Sequence, residues 1–382
     1  MTSAPSSPRL LSLDAFRGAT VAGMLLVNNP GSWSDLYAPL EHAPWHGWTP
    51  TDMIFPFFLW IVGVAMTLSF ARRVEQGADR GQLLRHAVVR GLIIIGVGWF
   101  LAAFPFGALP THTFSLAKLR LPGVLPRIGL CYLVASAIFL RTTWKGQLGW
   151  IAGLLLGYWA LLTLVPVPGY GAGVLEPRGN LAWWIDSHVL AGHTWSGAPV
   201  PGFDPEGLLS TIPAIATTLF GAVAGHFVRT LSGPALSARL VRDGIILLAL
   251  GAAWGLVFPI NKNLWTSSYA VFMAGWAMLL LGVFHWLIDV RGWKRWATPF
   301  VIYGSNALAM FVLAGLIGKL FYLVKWTGAE GKAVTLKGWI YTRWFVPLAS
   351  PINASLLFAL AFVLMFFAFA WILWRKKWFL KI

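Results

Sequence analysis

Residues 354–377 read ASLLFALAFVLMFFAFAWILWRKK: 21 residues without a charge, stopping on Arg375, Lys376 and Lys377. A helix needs roughly 20 mostly apolar residues to cross a bilayer. No water in the hydrocarbon satisfies backbone N–H and C=O groups, so such a run must be helical. Residues 54–70, IFPFFLWIVGVAMTLSF, repeat the pattern and run into Arg72 and Arg73. The same criterion gives about ten runs, near 13–30, 52–70, 88–107, 124–140, 147–165, 207–228, 243–260, 265–288, 297–317 and 353–374.

Composition agrees. Of the 382 residues, 58% are hydrophobic and 11% charged, against roughly 25% charged in soluble domains. The net charge of +16 would suggest nucleic acid in a soluble chain. Here most basic residues occupy short segments between apolar runs, the distribution of a membrane protein's cytoplasmic loops. Arg9, Arg17, the set from Arg72 to Arg90, Arg141, Lys145, Arg229, Arg239, Arg242, Arg291, Lys294, Arg295, Arg375–Lys377 and Lys381 all fall on one side of a ten-span layout. The expectation is an all-α polytopic membrane protein with about ten transmembrane helices, both termini cytoplasmic, and one domain over 1–382. An eleventh span would strand the terminal Arg-Lys-Lys outside. Residues 318–350 hold two short apolar patches, Leu320–Val324 and Trp339–Leu348, which suit an interfacial or re-entrant segment. Met1–Pro8 lacks a basic n-region, so no cleavable signal is expected. The single cysteine, Cys131, excludes an internal disulfide and a CxxC metal site. Many of the 23 Trp and 26 Phe flank span ends, as interfacial aromatics do.

Polar residues that lipid does not explain carry the functional signal. The outer loop after the first run holds Asn28, Asn29, Asp35, Glu41, His42, His46, Thr49, Thr51 and Asp52. His42 and His46 have the spacing of a helical metal pair, but Pro44 and Gly47 intervene and further ligands are missing, so no metal is expected. An imidazole beside a carboxylate suits a general base, because it titrates near neutrality; a solvated loop histidine is the plainer alternative. Asp14 and Arg17 suit a helical i,i+3 ion pair. Pro122, Gly123 and Pro126 break the backbone before Arg127, exposing amides that suit an anion. Asp204 and Glu206 suit the N-terminus of the sixth helix. Lys262 joins two runs, and Asn306 lies inside the ninth, where an amide serves packing.

The chain resembles the heparan-α-glucosaminide N-acetyltransferase family of transmembrane acyltransferases. The resemblance runs in order through RLLSLDAFRG (9–18), MLLVNNPG (24–31), HAPWHGWTPTDMIFPFFLWIVG (42–63), RLPGVLPRIGLCYL (120–133), DPEGLLSTIPAI (204–215), PINKNLWTSS (259–268) and YGSNAL (303–308). The family usually has Gln where this chain has Pro126. The resemblance implies a bacterial homologue without the lumenal N-terminal domain, as a homodimer, and the short, domain-free N-terminus suggests a bacterial inner membrane. It implies acetyl transfer across the membrane, from acetyl-CoA inside to an amino sugar or glycan acceptor outside, with no metal. It places the active-site histidine at His42 and the active-site asparagine at Asn28. On that basis His42 acts as general base or acetyl carrier, Asn28 steadies the oxyanion, and Asp52 or Glu41 orients the ring. Arg17, Arg127, Lys262 and Asn306 are the expected donor contacts. Glu41, Trp45, Asp204 and Glu206 are the expected acceptor contacts. A membrane transporter of a sugar or related solute is the alternative, since broken helices also serve alternating access.

Overall fold

The computed structural model describes residues 10–108, 114–328 and 331–380; Met1–Pro8, Arg9 and Lys381 lie outside the described residues. The helices are α1 (Leu11–Asn28), α2 (Ile54–Glu75), α3 (Arg80–Ala103), α4 (Val124–Arg141), α5 (Trp144–Leu164), α6 (Leu181–Val189) and α7 (Thr211–Thr230). They continue with α8 (Gly233–Gly255), α9 (Ser267–His285), α10 (Thr298–Gly304), α11 (Ala307–Leu323), α12 (Leu336–Ile340) and α13 (Pro351–Arg375). Among the described residues, seven helical stretches are long and apolar enough to cross a membrane, or eight if α10 and α11, bent by 70°, form one broken span. The protein is therefore an integral membrane protein of helical class. α1 and α8 lie outside that set, and both carry charges: Asp14 and Arg17 in one, Arg239, Arg242 and Asp243 in the other.

Local chemistry revises several expectations. Leu320–Leu323 continues α11. Beyond it, β1 (Lys325–Thr327) pairs antiparallel with β2 (Ala333–Thr335), a small departure from an all-α chain. Pro126 does not break a helix: it sits in the first turn of α4, where a missing N–H costs nothing, after Gly123 at φ +148°. Asn306 is not inside a helix but at the break between α10 and α11. Asp204 and Glu206 do not cap α7, which starts at Thr211; they face Arg120 instead.

The bundle closes where helix backbones touch. A Cβ on Gly63 would lie 1.9 Å from the Thr218 carbonyl oxygen, and one on Gly221 1.9 Å from that of Trp60. This reciprocal crossing joins α2 to α7. Gly18 and Gly304 do the same for α1 and α10, at 1.7 and 2.1 Å from the Phe300 and Asp14 carbonyl oxygens. Lipid offers no hydrophobic drive between helices, so association relies on such close packing. Trp60, Leu59, Leu219 and Tyr269 are fully buried around the α2–α7 crossing and its neighbour α9.

Gly221→Ala should part α2 from α7 and destabilise the fold by about 1–3 kcal/mol, the cost of overpacking. Gly153→Ala, where a Cβ meets nothing within 4 Å, serves as control. Thermal unfolding in detergent checks this: equal midpoints for the two variants would contradict it.

Candidate active site

Four helices, α2, α4, α7 and α9, begin at the same end of the bundle, and the loops leading into them carry the charged cluster. Helix N-termini favour carboxylates. Asp52 lies in the turn Pro50–Met53 that opens α2. There Thr49 and Asp52 form a reciprocal capping box, which satisfies orphan N–H groups at the helix start. The Asp52 side chain is 1% exposed. Its Oδ2 accepts from Ala43 N at 3.1 Å, Thr49 N at 3.0 Å and Thr49 Oγ1 at 3.2 Å. Its Oδ1 lies 2.7 Å from His42 Nδ1. An ionised carboxylate only accepts, so Nδ1 carries the hydrogen and Nε2 presents its lone pair. The His42 side chain is 48% exposed. An accessible imidazole is thus oriented by a buried, fully engaged carboxylate.

Lys262 completes this group. Its Nζ lies 3.0 Å from His42 Nδ1, 3.3 Å from Nε2 and 3.5 Å from Asp52 Oδ1. Two clamps bring it there from the α8–α9 turn. Gly47 N donates to the Ile260 carbonyl at 2.7 Å, and Tyr269 Oη donates to the Asp52 carbonyl at 2.6 Å. Asn261 Oδ1 accepts from Leu264 N at 2.8 Å, fixing the turn itself. Burial pushes the Lys262 ammonium down from its ordinary value, against the opposing charges of Asp52 and Glu206.

A second charged group adjoins it. Arg120 forks onto Asp204, with Nε to Oδ2 at 2.8 Å and Nη2 to Oδ1 at 2.6 Å, and also reaches Glu206. Burial raises the Glu206 carboxyl, but Arg120, Arg127 and Lys262 outweigh it and hold it below its usual range. Arg127 is 2% exposed; it donates to the Gly207 carbonyl at 3.0 Å and Ser210 Oγ at 2.5 Å, and stacks over Trp265. Asp186 on α6 is buried, receives Leu208 N at 3.0 Å through Oδ1, and leaves Oδ2 without a partner. Burial, with Asp204 adding to it, pushes its carboxyl up to about 7.

The predicted residues thus divide. His42, Asp52 and Lys262 meet; Asp204, Glu206 and Arg127 form the adjoining group. Trp45 bonds through Nε1 to the Leu175 carbonyl at 2.8 Å and packs on Phe203, beside that group. Glu41 is exposed and offers the Thr49 hydroxyl only its backbone carbonyl. Asn28, at the far end of α1, lines a separate cavity of about 390 Å³ with Asn29, Lys319 and Tyr322. Arg17 lines a larger cavity of about 760 Å³ with Arg73, Arg90 and Tyr132. By helix direction that cavity lies toward the opposite end from His42. Asn306 faces the chain after α13, donating to the Trp378 carbonyl at 3.0 Å and accepting from Leu380 N at 2.9 Å. Sequence pattern alone does not single out Arg120, Asp186, Arg73 or Arg90 as site residues. Arg120 is within its reach, as the first residue of RLPGVLPRIGLCYL.

Fold and site together define a polytopic helical membrane protein with a carboxylate-oriented histidine at one end of its bundle. Residues 9–251 match the family model described as heparan-alpha-glucosaminide N-acetyltransferase, catalytic, and the chain belongs to that family. It is 30% identical over 356 residues to the Homo sapiens heparan-alpha-glucosaminide N-acetyltransferase, covering 80% of this chain and 52% of that protein. The Mus musculus protein of the same name is 29% identical over 359 residues, covering 80% and 53%. The chain spans about half the length of these curated relatives. Lys262 and Asn306 fall beyond the family-model match.

Asp186 supplies a pH test of this loop cluster. The folded chain holds its proton up to about 7, whereas the unfolded chain releases it near 3.8. Its contribution to stability is therefore full below 3.8 and drains away as pH rises to about 7. Raising the pH from 5 to 8 should lower the unfolding midpoint of the parent more than that of Asp186→Asn. Parallel midpoints across that range would refute the assignment.

Proposed function

We propose that this chain is an integral-membrane acetyltransferase that moves an acetyl group from acetyl-CoA to an amino sugar or glycan amine. The observation that carries this reading is the exposed His42 imidazole fixed at 2.7 Å by the buried Asp52 carboxylate. The family relation supports it. In this reading the acceptor nitrogen attacks the thioester carbonyl, and the C–N bond forms as His42 Nε2 takes the amine proton. Asp52 steadies the imidazolium that results. The C–S bond then breaks, and the thiolate leaves with the proton His42 returns. Lys262 places positive charge beside the carbonyl oxygen as it becomes an oxyanion, a role nearer the chemistry than the donor contact that the resemblance implies. Asn28 lines a separate cavity from this group, so its reading as an oxyanion donor requires that cavity to open onto His42. His42 as an acetyl carrier is the second route, and acetyl left on denatured protein without acceptor would reveal it.

Arg17, Arg73 and Arg90 line the larger cavity, and arginines suit the donor's phosphates. Arg120, Asp204, Glu206 and Trp45 frame the approach of a polar acceptor, whose amine reacts in its neutral form. The same reading treats 1–382 as one domain. It counts α1 and α8 with the other spans, for ten in all, with both termini cytoplasmic, and places a homodimer in a bacterial inner membrane.

Thiol release from acetyl-CoA in the presence of glucosamine or a glucosamine-terminated glycan tests the reaction; no release with any amino sugar would reject it. His42→Ala should lower kcat by on the order of 10²–10⁴. Arg90→Ala should raise KM for acetyl-CoA about tenfold and leave kcat nearly unchanged. Sugar uptake into vesicles without thiol release would favour a transporter.

A further inference from the structure

The two cavities share a wall residue. Phe311 lines the larger cavity that holds Arg17 and the smaller one that holds Asn28. Both cavities also follow α1: Arg17 and Asn28 lie 11 residues apart, about 16 Å at 1.5 Å per residue. The facing helix is α11. One of its faces carries Leu308 and Phe311, then Ala314, Gly315 and Gly318, at the three- and four-residue spacing of a helix stripe. Beyond the ring the stripe narrows to hydrogen and methyl side chains, facing Leu101 of α3 at Gly315 and Asn29 at Gly318, where a Cβ would meet Oδ1 at 3.4 Å. A Cβ on Gly315 meets Leu101 only at 3.6 Å, ordinary contact. Phe311 itself is half-buried and sits five residues past the bend at Asn306.

We propose that the Phe311 ring is the gate between the two cavities, and that it selects a donor whose reactive group travels on an unbranched arm. The identity of the donor rests on the acetyl-CoA reading; the gate does not. With the ring in place, the arginine-lined cavity ends at Phe311. When the ring swings aside, the small-residue stripe of α11 opens a slot toward Asn28. A linear thioester arm fits such a slot, while the anionic head of the donor stays with Arg17, Arg73 and Arg90. Phe311 is a specificity-determining residue in this scheme and takes no part in bond making.

A thiol introduced as Gly315→Cys reads the gate directly. The native Cys131 is fully buried, and the parent chain gives its background. A charged, membrane-impermeant methanethiosulfonate is applied in vesicles from the face that carries Arg17. Labelling should be slow with Phe311 present and at least tenfold faster with Phe311→Ala; Phe311→Leu serves if the alanine variant does not fold. Labelling from the opposite face should occur in both. Equal rates from the Arg17 face, with and without the ring, would overturn the gate. In the opened variant, desulfo-CoA, which keeps the arm but has no thiol to consume the reagent, should protect the cysteine, and adenosine 3′,5′-bisphosphate, which lacks the arm, should not. Equal protection by both, or by neither, would overturn the arm assignment. Labelling needs no turnover, so a failed transferase assay leaves the gate result standing.

Discussion

The carboxylate of Asp52 is the point on which this end of the molecule turns. Burying an ion without partners is costly, and the chain meets that cost by folding a loop around it. Ala43 and Thr49 give up their N–H groups to one oxygen, and His42 and Lys262 gather at the other. The same residue starts α2. The geometry of the helix start and that of the imidazole are therefore one problem with one solution. A loop of 21 residues between α1 and the opening turn of α2 would otherwise have no reason to present a single ring atom.

Backbone contact at glycines gives that loop a fixed floor. Reciprocal crossings of α2 with α7 and of α1 with α10 leave no slack for a methyl group. The starts of α2 and α7 are thereby held at a set separation. Trp265, stacked beneath Arg127 and bonded to Thr217 Oγ1 at 3.1 Å, ties α9 into the same frame. Lys262 reaches His42 because the turn that carries it hangs between these fixed points.

Much of this is legible in the amino-acid sequence. Uncharged runs such as 354–374 announce helices, because lipid leaves the backbone no alternative. His42 and Asp52 stand out because lipid gives no reason to keep them. What the sequence hides is set by tertiary geometry. Arg120 and Asp204 are 84 residues apart, and nothing local pairs them. Glu41 and Asp52 are equal candidates to orient His42 on sequence; only the capping turn decides for Asp52. Pro126 reads as a breaker until its register within the first turn of α4 is known. Asn306 sits in an apolar run whose bend a hydropathy pattern does not register, and Lys262 has no motif placing it beside an imidazole.

That bend gives the far end of the chain a mechanical role. Asn306 grips the backbone on both sides of Phe379, through the Trp378 carbonyl and the Leu380 amide. Phe379 and Leu380 in turn form part of the wall of the arginine-lined cavity. The segment after α13 is thus fastened to the elbow between α10 and α11. A load attached beyond Leu380, whether a fusion partner or an affinity handle, would pull on that elbow and on the cavity together. For this protein the carboxy-terminal side is a lever, and the place where it is held decides what is being measured.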